Sequence, residues 1–207
     1  MLDDLLALAA DRRIPVEEVE RDRLDERAQG LVHQGVVALA PPFAYADLDT
    51  VVEAAERPLL VALDQVTDPH NLGSIARTAE AVGAHGLVLP ARRTSPVTPA
   101  AEKAAAGALA HLPVVQVTNL VRTLRVLGER GVWSVGLDAE AELDLADSRL
   151  LGESLVLVVG AEGRGLARLT AEACDQLVRL PMRGRVGSLN ASVAAGVALF
   201  EILRRRG

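Results

Sequence analysis

A chain of 207 residues, half of them apolar, can bury one sizeable core with at most a small appendage. Its one cysteine, Cys174, excludes an internal disulfide and a cysteine-based zinc site and fits a reducing compartment. The net charge of −6 argues mildly against nucleic acid, but residues 1–58 hold 13 of the 28 acidic side chains and only 6 of the 22 basic ones, so the remainder is slightly positive. Lys103 is the only lysine; every other base is arginine, the side chain suited to bidentate phosphate contacts. Aromatics are limited to Phe43, Tyr45, Trp133 and Phe200, which disfavours base stacking as a binding mode. Asp3 and Asp4 directly after Met1-Leu2 do not read as a secretory leader, and no apolar run approaches the roughly 20 residues that span a bilayer.

Residues 1–42 read as a separate, incomplete piece. A short helix is expected around Leu2–Leu8, a strand at Val16–Val19, a polar helix from Arg23 to Gln29 closed by Gly30, and a second strand at Val36–Ala40. Residues 43–58, after Pro41 and Pro42, read as a linker with a short helix between Ala46 and Glu56. From Leu59 strands and helices alternate. Strands are expected at Leu59–Leu63, Gly86–Leu89, Val114–Val117, Val132–Leu137, Leu155–Val159 and Leu177–Leu180. Between them fall a helix capped by Asp68-Pro69 and closed by Gly83, an Ala-rich helix from Ala100 to Leu109, and a helix capped by Thr118 and closed by Gly131. Residues 138–153 are acidic and irregular, and a last helix runs from about Leu189 to Arg206. Such alternation implies an α/β fold, a parallel sheet with helices on both faces. Ligands of such sheets bind beyond the carboxyl ends of the strands.

Three polar clusters lie at those ends. Gly160-Ala-Glu-Gly-Arg-Gly165 follows a strand but has neither the spacing of a dinucleotide fingerprint nor the lysine of a phosphate loop. Its Glu162 stands between glycines, where it can anchor a loop, orient Arg77 or face another arginine. Asp68-Pro-His-Asn-Leu-Gly-Ser-Ile-Ala-Arg77 puts Asn71 in a first helical turn, where Asn is a poor helix former but can reach a ligand. Ser188-Leu-Asn-Ala-Ser192 opens the last helix, with Ser188 as a natural N-cap and Asn190 and Ser192 adding polar groups at a positive helix end. His33, His70, His85 and His111 have no partner at metal-ligand spacing.

In this order, Val66–Arg77, Val159–Gly165, and Leu180-Pro-Met with Ser188–Ser192 resemble the three motifs of the SpoU family of RNA ribose 2′-O-methyltransferases, over about residues 59–205. The front piece, with His33-Gln-Gly-Val-Val-Ala38, resembles the tail of the small L30e-like domain found in the branch that modifies a guanosine of large-subunit ribosomal RNA. The resemblance implies a C-terminal deep trefoil knot, an exception to unknotted topology. It also implies a homodimer, a cytoplasmic setting, ribosomal RNA as partner and S-adenosyl-L-methionine as cofactor. Donor contacts would come from Val159, Gly160, Gly163, Leu180, Met182, Val186, Ser188 and Leu189, mostly through backbone groups. Asn71, Arg77, Glu162, Ser188 and Asn190 match the family's functional polar positions.

In such an enzyme the ribose 2′-hydroxyl attacks the sulfonium methyl in line, and the protein orients the reactants and removes a proton. Arg77 is either the general base or the holder of the phosphate beside the target ribose; an arginine is otherwise protonated at any ordinary pH. Two other substrates fit the same motifs, transfer RNA and a ribosomal adenosine. A catalytically silent RNA-binding dimer is the alternative from another class. A nicotinamide enzyme is a third, and lacks GxGxxG with an acid about 20 residues on.

Overall fold

The computed structural model describes residues 2–28, 30 and 32–207. It divides into two compact units, residues 1–42 and 43–207. In the first, α1 (Leu2–Asp11) and α2 (Arg21–Ala28) form, and Gln29, the expected end of the polar helix, lies outside the described residues. The strands expected at Val16–Val19 and Val36–Ala40 do not form. A strand needs a ladder partner, and these two short segments do not pair. Leu2, Leu8, Ile14, Val16 and Leu39 are all exposed, Ala28 is the only buried apolar residue among the described residues of this unit, and the unit carries local polar contacts. His33 is the clearest: its Nδ1 accepts from Gly35 N at 3.0 Å, so its Nε2 donates to Asp25 at 2.9 Å.

The segment 43–58 is not a free linker. It packs within the second unit: Phe43 meets the Tyr45 ring edge-on, Ala46 bridges to Val115, and α3 (Leu48–Glu53) buries Val51 and Val52. Asp47 caps α3 by accepting from Asp49 N and Thr50 N.

Six strands then form one parallel sheet: β1 (Leu59–Asp64), β2 (Gly86–Pro90), β3 (Val114–Val117), β4 (Trp133–Leu137), β5 (Leu155–Gly160) and β6 (Gln176–Val178), ordered β3-β2-β1-β5-β4-β6. The central pair, β1 and β5, is buried at every position, which is why both read as unbroken apolar runs. Alternate residues feed two cores. Val61, Leu63, Leu157 and Val159 meet α4 (Pro69–Ala81), α5 (Pro99–Ala105) and α8 (Ala191–Arg206) on one face. Leu60, Ala62, Val156 and Val158 meet α3 and α6 (Leu120–Glu129) on the other, with α7 (Arg168–Ala173) beside α6.

Several boundaries differ from expectation for local reasons. Asn119, not Thr118, caps α6, because its Oδ1 accepts from Arg122 N at 3.0 Å. The Ala-rich helix stops at Ala105; Ala106 and Gly107 take positive φ, and a single 3-10 turn, Ala108–Ala110, returns Ala108 and Leu109 to the core. The short helix α7 was not expected from the sequence. The last helix begins at Ala191, and its N-cap is Asn190 rather than Ser188.

Candidate active site

The carboxyl ends of β4, β5 and β6 frame a cavity of about 250 Å³. Leu137, Val159, Val178, Leu180 and Leu189 give it apolar walls, and Glu162, Ser188 and the turn at Asp138–Glu140 give it polar ones. The floor depends on Gly160: a Cβ there would overlap the backbone of Gly165 and Leu166. The loop folds back that closely because Ala161 and Gly165 exchange backbone hydrogen bonds at 2.9 and 3.0 Å, with Gly163 and Gly165 at positive φ. Asp64, nearly buried at the end of β1, accepts from Ala167 N at 2.7 Å and ties the far side of that loop to the sheet. Asp138 holds the β4 turn by accepting from Glu140 N at 2.9 Å.

One hydrogen-bond cluster joins the three polar motifs. Asn190 Nδ2 donates to Asn71 Oδ1 and to Glu162 Oε2, each at 3.0 Å. Its Oδ1 accepts from Ser192 N at 2.9 Å, Ser192 Oγ at 2.6 Å and Val193 N at 3.4 Å. Residues 119 positions apart therefore meet where α4 and α8 begin. Asn71 is buried, held by the α4 turn that Asp68 caps through His70 N at 2.9 Å.

Of the five polar residues singled out by sequence, Asn71, Glu162 and Asn190 are thus hydrogen-bonded together, and Glu162 with Ser188 lines the cavity. Ser188 is exposed there and makes no hydrogen bond among the described residues. Arg77 is not part of the cluster. It lies on the exposed side of α4, six residues and about 120° around the helix from Asn71. Glu162 does not orient it; its carboxylate engages Asn190 instead. Among the eight residues expected to hold the donor, Val159, Gly160, Gly163, Leu180, Met182, Ser188 and Leu189 line the cavity. Val186 does not, and is 69% exposed.

Asp64 and Asp138 were not singled out by sequence, although an acid closing a wholly apolar strand is a readable signal. Cys174 takes no part: burial, with Asp175 and Asp64 nearby, pushes its thiol up to about 12. Among the described residues no His, Cys, Asp and Glu group is placed to hold a metal ion, and no helix is long and apolar enough to cross a membrane.

A parallel α/β sheet with a glycine-floored cavity at its carboxyl edge, lined by a carboxylate and a hydroxyl, is the usual setting of a small-molecule site in such a fold. Comparison with known proteins narrows this. The SpoU rRNA Methylase family matches residues 58–200, and the RNA 2′-O ribose methyltransferase substrate binding family matches residues 1–46. The chain belongs to the SpoU methylase family.

Among its relatives, the 23S rRNA (guanosine-2′-O-)-methyltransferase RlmB of Pseudomonas aeruginosa is 51% identical over 206 residues, 98% of this chain and 82% of that protein. The RlmB of Escherichia coli is 44% identical over 196 residues, 93% of this chain and 80% of that protein. A putative TrmH family tRNA/rRNA methyltransferase, YacO, of Bacillus subtilis is 49% identical over 98% of this chain and 82% of its own. The crystal structure of the SpoU methyltransferase AviRb from Streptomyces viridochromogenes, in complex with the cofactor AdoMet, superposes with a TM-score of 0.72 at 33% identity, over 79% of this chain and 66% of that one.

Proposed function

We propose that this chain transfers a methyl group from S-adenosyl-L-methionine to a ribose 2′-hydroxyl of RNA, with a guanosine of large-subunit ribosomal RNA as the substrate. One observation carries the reading: Asn190 joins Asn71 and Glu162, one residue from each motif, beside a glycine-floored cavity that Ser188 lines. The lining suits the donor. Its apolar walls accept an adenine plate, and the absent side chain at Gly160 lets the loop close over backbone donors and acceptors. Leu180, Met182 and Leu189 would flank the base, and Glu162 and Ser188 the polar remainder.

When bound, the donor supplies a methyl group on a cationic sulfonium that leaves as a neutral thioether. The chain's residues do the rest. Asn71 and Ser188 position the target nucleotide, and Asn190 and Glu162 hold Asn71. Arg77, exposed and without an ion pair among the described residues, takes the phosphate beside the target ribose and so favours ionisation of the hydroxyl.

The same reading includes a trefoil knot, a homodimer, a cytoplasmic setting beside the ribosome and an L30e-like substrate-binding role for residues 1–42. Support for the knot is that β6 pairs with β4 while α8 returns to pack on α4 and β5. Support for the dimer is the stripe Val193, Val197 and Phe200 on α8, spaced one turn apart and 49–56% exposed. Support for the substrate is the guanosine-2′-O specificity named for two relatives that match 98% and 93% of this chain.

The test is methyl incorporation from labelled donor into a transcript of large-subunit RNA, beside a transcript carrying a 2′-deoxyguanosine at the mapped position. Incorporation lost on the deoxy transcript supports ribose methylation; equal incorporation would show base methylation and overturn it. Tight RNA binding with no transfer at all would point to the silent binding dimer.

A further inference from the structure

We infer that Glu162 and Asn190 are positioning residues that fix the polarity of the Asn71 amide, so that Asn71 offers the RNA its amino group and not its carbonyl. The inference rests on the RNA-methylation reading of this site. It follows from donor and acceptor inventory. A carboxylate accepts only, so Glu162 Oε2, 3.0 Å from Asn190, must receive an N–H, and the Asn190 nitrogen must face it. The opposite end of the same amide settles the same orientation independently. Asn190 Oδ1 meets three donors at the start of α8, Ser192 N, Ser192 Oγ and Val193 N, and only an oxygen can accept from them.

With Asn190 fixed twice, its second N–H faces Asn71 at 3.0 Å, and the Asn71 atom there must be the oxygen. Both N–H groups of Asn71 remain without a protein partner among the described residues. A flipped Asn71 would set NH₂ against NH₂ at a buried position. The cluster is thus a directional chain, carboxylate to amide to amide, that ends in two free donors where α4 begins. Such donors match a phosphate oxygen, or the ribose 2′-oxygen as it gains negative charge, and cannot take up a proton. On this reading Asn71 touches the substrate, while Glu162 and Asn190 act through it.

The test separates polarity from mere support. Asn190→Asp keeps an acceptor for the α8 N–H groups, so the cap survives, but removes both N–H donors and puts a carboxylate against Glu162. Adding Glu162→Gln removes that repulsion and supplies a new N–H. In the double variant every cluster bond is satisfied, yet Asn71 must turn its amino group inward and its carbonyl outward. The expected result is a double variant with the wild-type melting temperature but kcat, at saturating donor, lower by about 10²-fold, the usual cost of one lost transition-state donor. Glu162→Gln alone, which can still accept from Asn190, should recover about tenfold of the kcat lost in Glu162→Ala. A double variant that recovers activity along with stability would overturn the inference.

The polarity is also read without RNA, from hydrogen exchange at assigned side-chain amides. In the wild type both Asn190 N–H groups should be protected and both Asn71 N–H groups open; protected Asn71 groups would overturn it. Open Asn71 groups in a wild-type protein that methylates no RNA would reject the functional reading and leave the polarity standing.

Discussion

The end of α8 remote from the site provides a test of what holds the sheet together. Arg206 lies in its last turn and donates to four backbone carbonyls: Leu151 from Nε at 3.3 Å, Arg57 from Nη1 at 3.0 Å, Pro58 from Nη2 at 3.3 Å, and Glu153, also from Nη2. These carbonyls lie just before the two central strands, β1 and β5. Burial and the neighbouring Arg57 push the guanidinium pKa down. The bonds to Leu151 and Pro58 are partly sheltered, and the other two can be replaced by water. At about 1.5 kcal/mol for each sheltered bond, Arg206→Ala should cost about 3 kcal/mol. For a chain of this size that is a fall of about 6–12 °C in the thermal midpoint, followed by circular dichroism. The control is Arg204→Ala, whose exposed side chain pairs, among the described residues, with Glu201 alone and should leave the midpoint near that of the wild type. Asn190 lies about 24 Å away at the other end of α8, so donor affinity measured well below the midpoint should not change. A fall of less than about 2 °C would refute the claim that these carbonyl bonds anchor the helix.

Arg77→Ala should abolish methyl transfer while leaving donor binding nearly intact by calorimetry; lost donor binding would instead place Arg77 in the cofactor site. Leu189→Arg introduces a charge into the apolar wall of the cavity and should remove saturable donor binding, and unchanged affinity would reject the pocket assignment. His85 Nδ1 accepts from Leu59 N at 3.1 Å, and burial with Arg206 lowers its pKa below the usual histidine value. The unfolded chain then binds the extra proton first, so this contribution is complete above about pH 6.5 and declines as pH falls below it. His85→Asn should flatten the slope of the melting temperature between about pH 7.5 and 5.5.

The sheet was legible because β1 and β5 are buried on both faces and so carry runs of Val and Leu that no amphipathic helix would show. The first unit was not, because a strand is defined by its partner: Val16–Val19 and Val36–Ala40 have strand composition and no ladder. Position in a turn also misled. Ser188 has the right chemistry for an N-cap, but Asn190 takes that role because its oxygen reaches Ser192 N and Val193 N while its nitrogen is held from the other side. Asn71, Glu162 and Asn190 could be chosen from sequence by their match to the three motifs, one residue in each. That Glu162 meets Asn190 and not Arg77 could not, since it depends on which side of α4 each residue faces.

The arginine-rich composition acquires a location from the topology. Arg92 and Arg93 follow β2, Arg164 follows β5, and Arg183 and Arg185 follow β6; all five are exposed, and none has an ion pair among the described residues. In a parallel sheet the segments after strands share one edge, here the edge that carries the cavity. Arg164 lines that cavity, and Arg183 and Arg185 lie in the segment that also contributes Met182 and Ser188. If they contact phosphate, each one removed should lower the slope of log affinity against log salt by about 0.7–0.9, so Arg183→Ala with Arg185→Ala lowers it by about 1.5. Fluorescence anisotropy with labelled RNA between about 50 and 200 mM salt reads this directly. Arg130 is the control: it precedes β4 at the opposite edge and is paired with Asp49 and Glu53, so Arg130→Ala should leave the slope unchanged. An unchanged slope in the double variant would remove the β6 loop from the RNA path, and a change on losing Arg130 would move that path to the other end of the sheet.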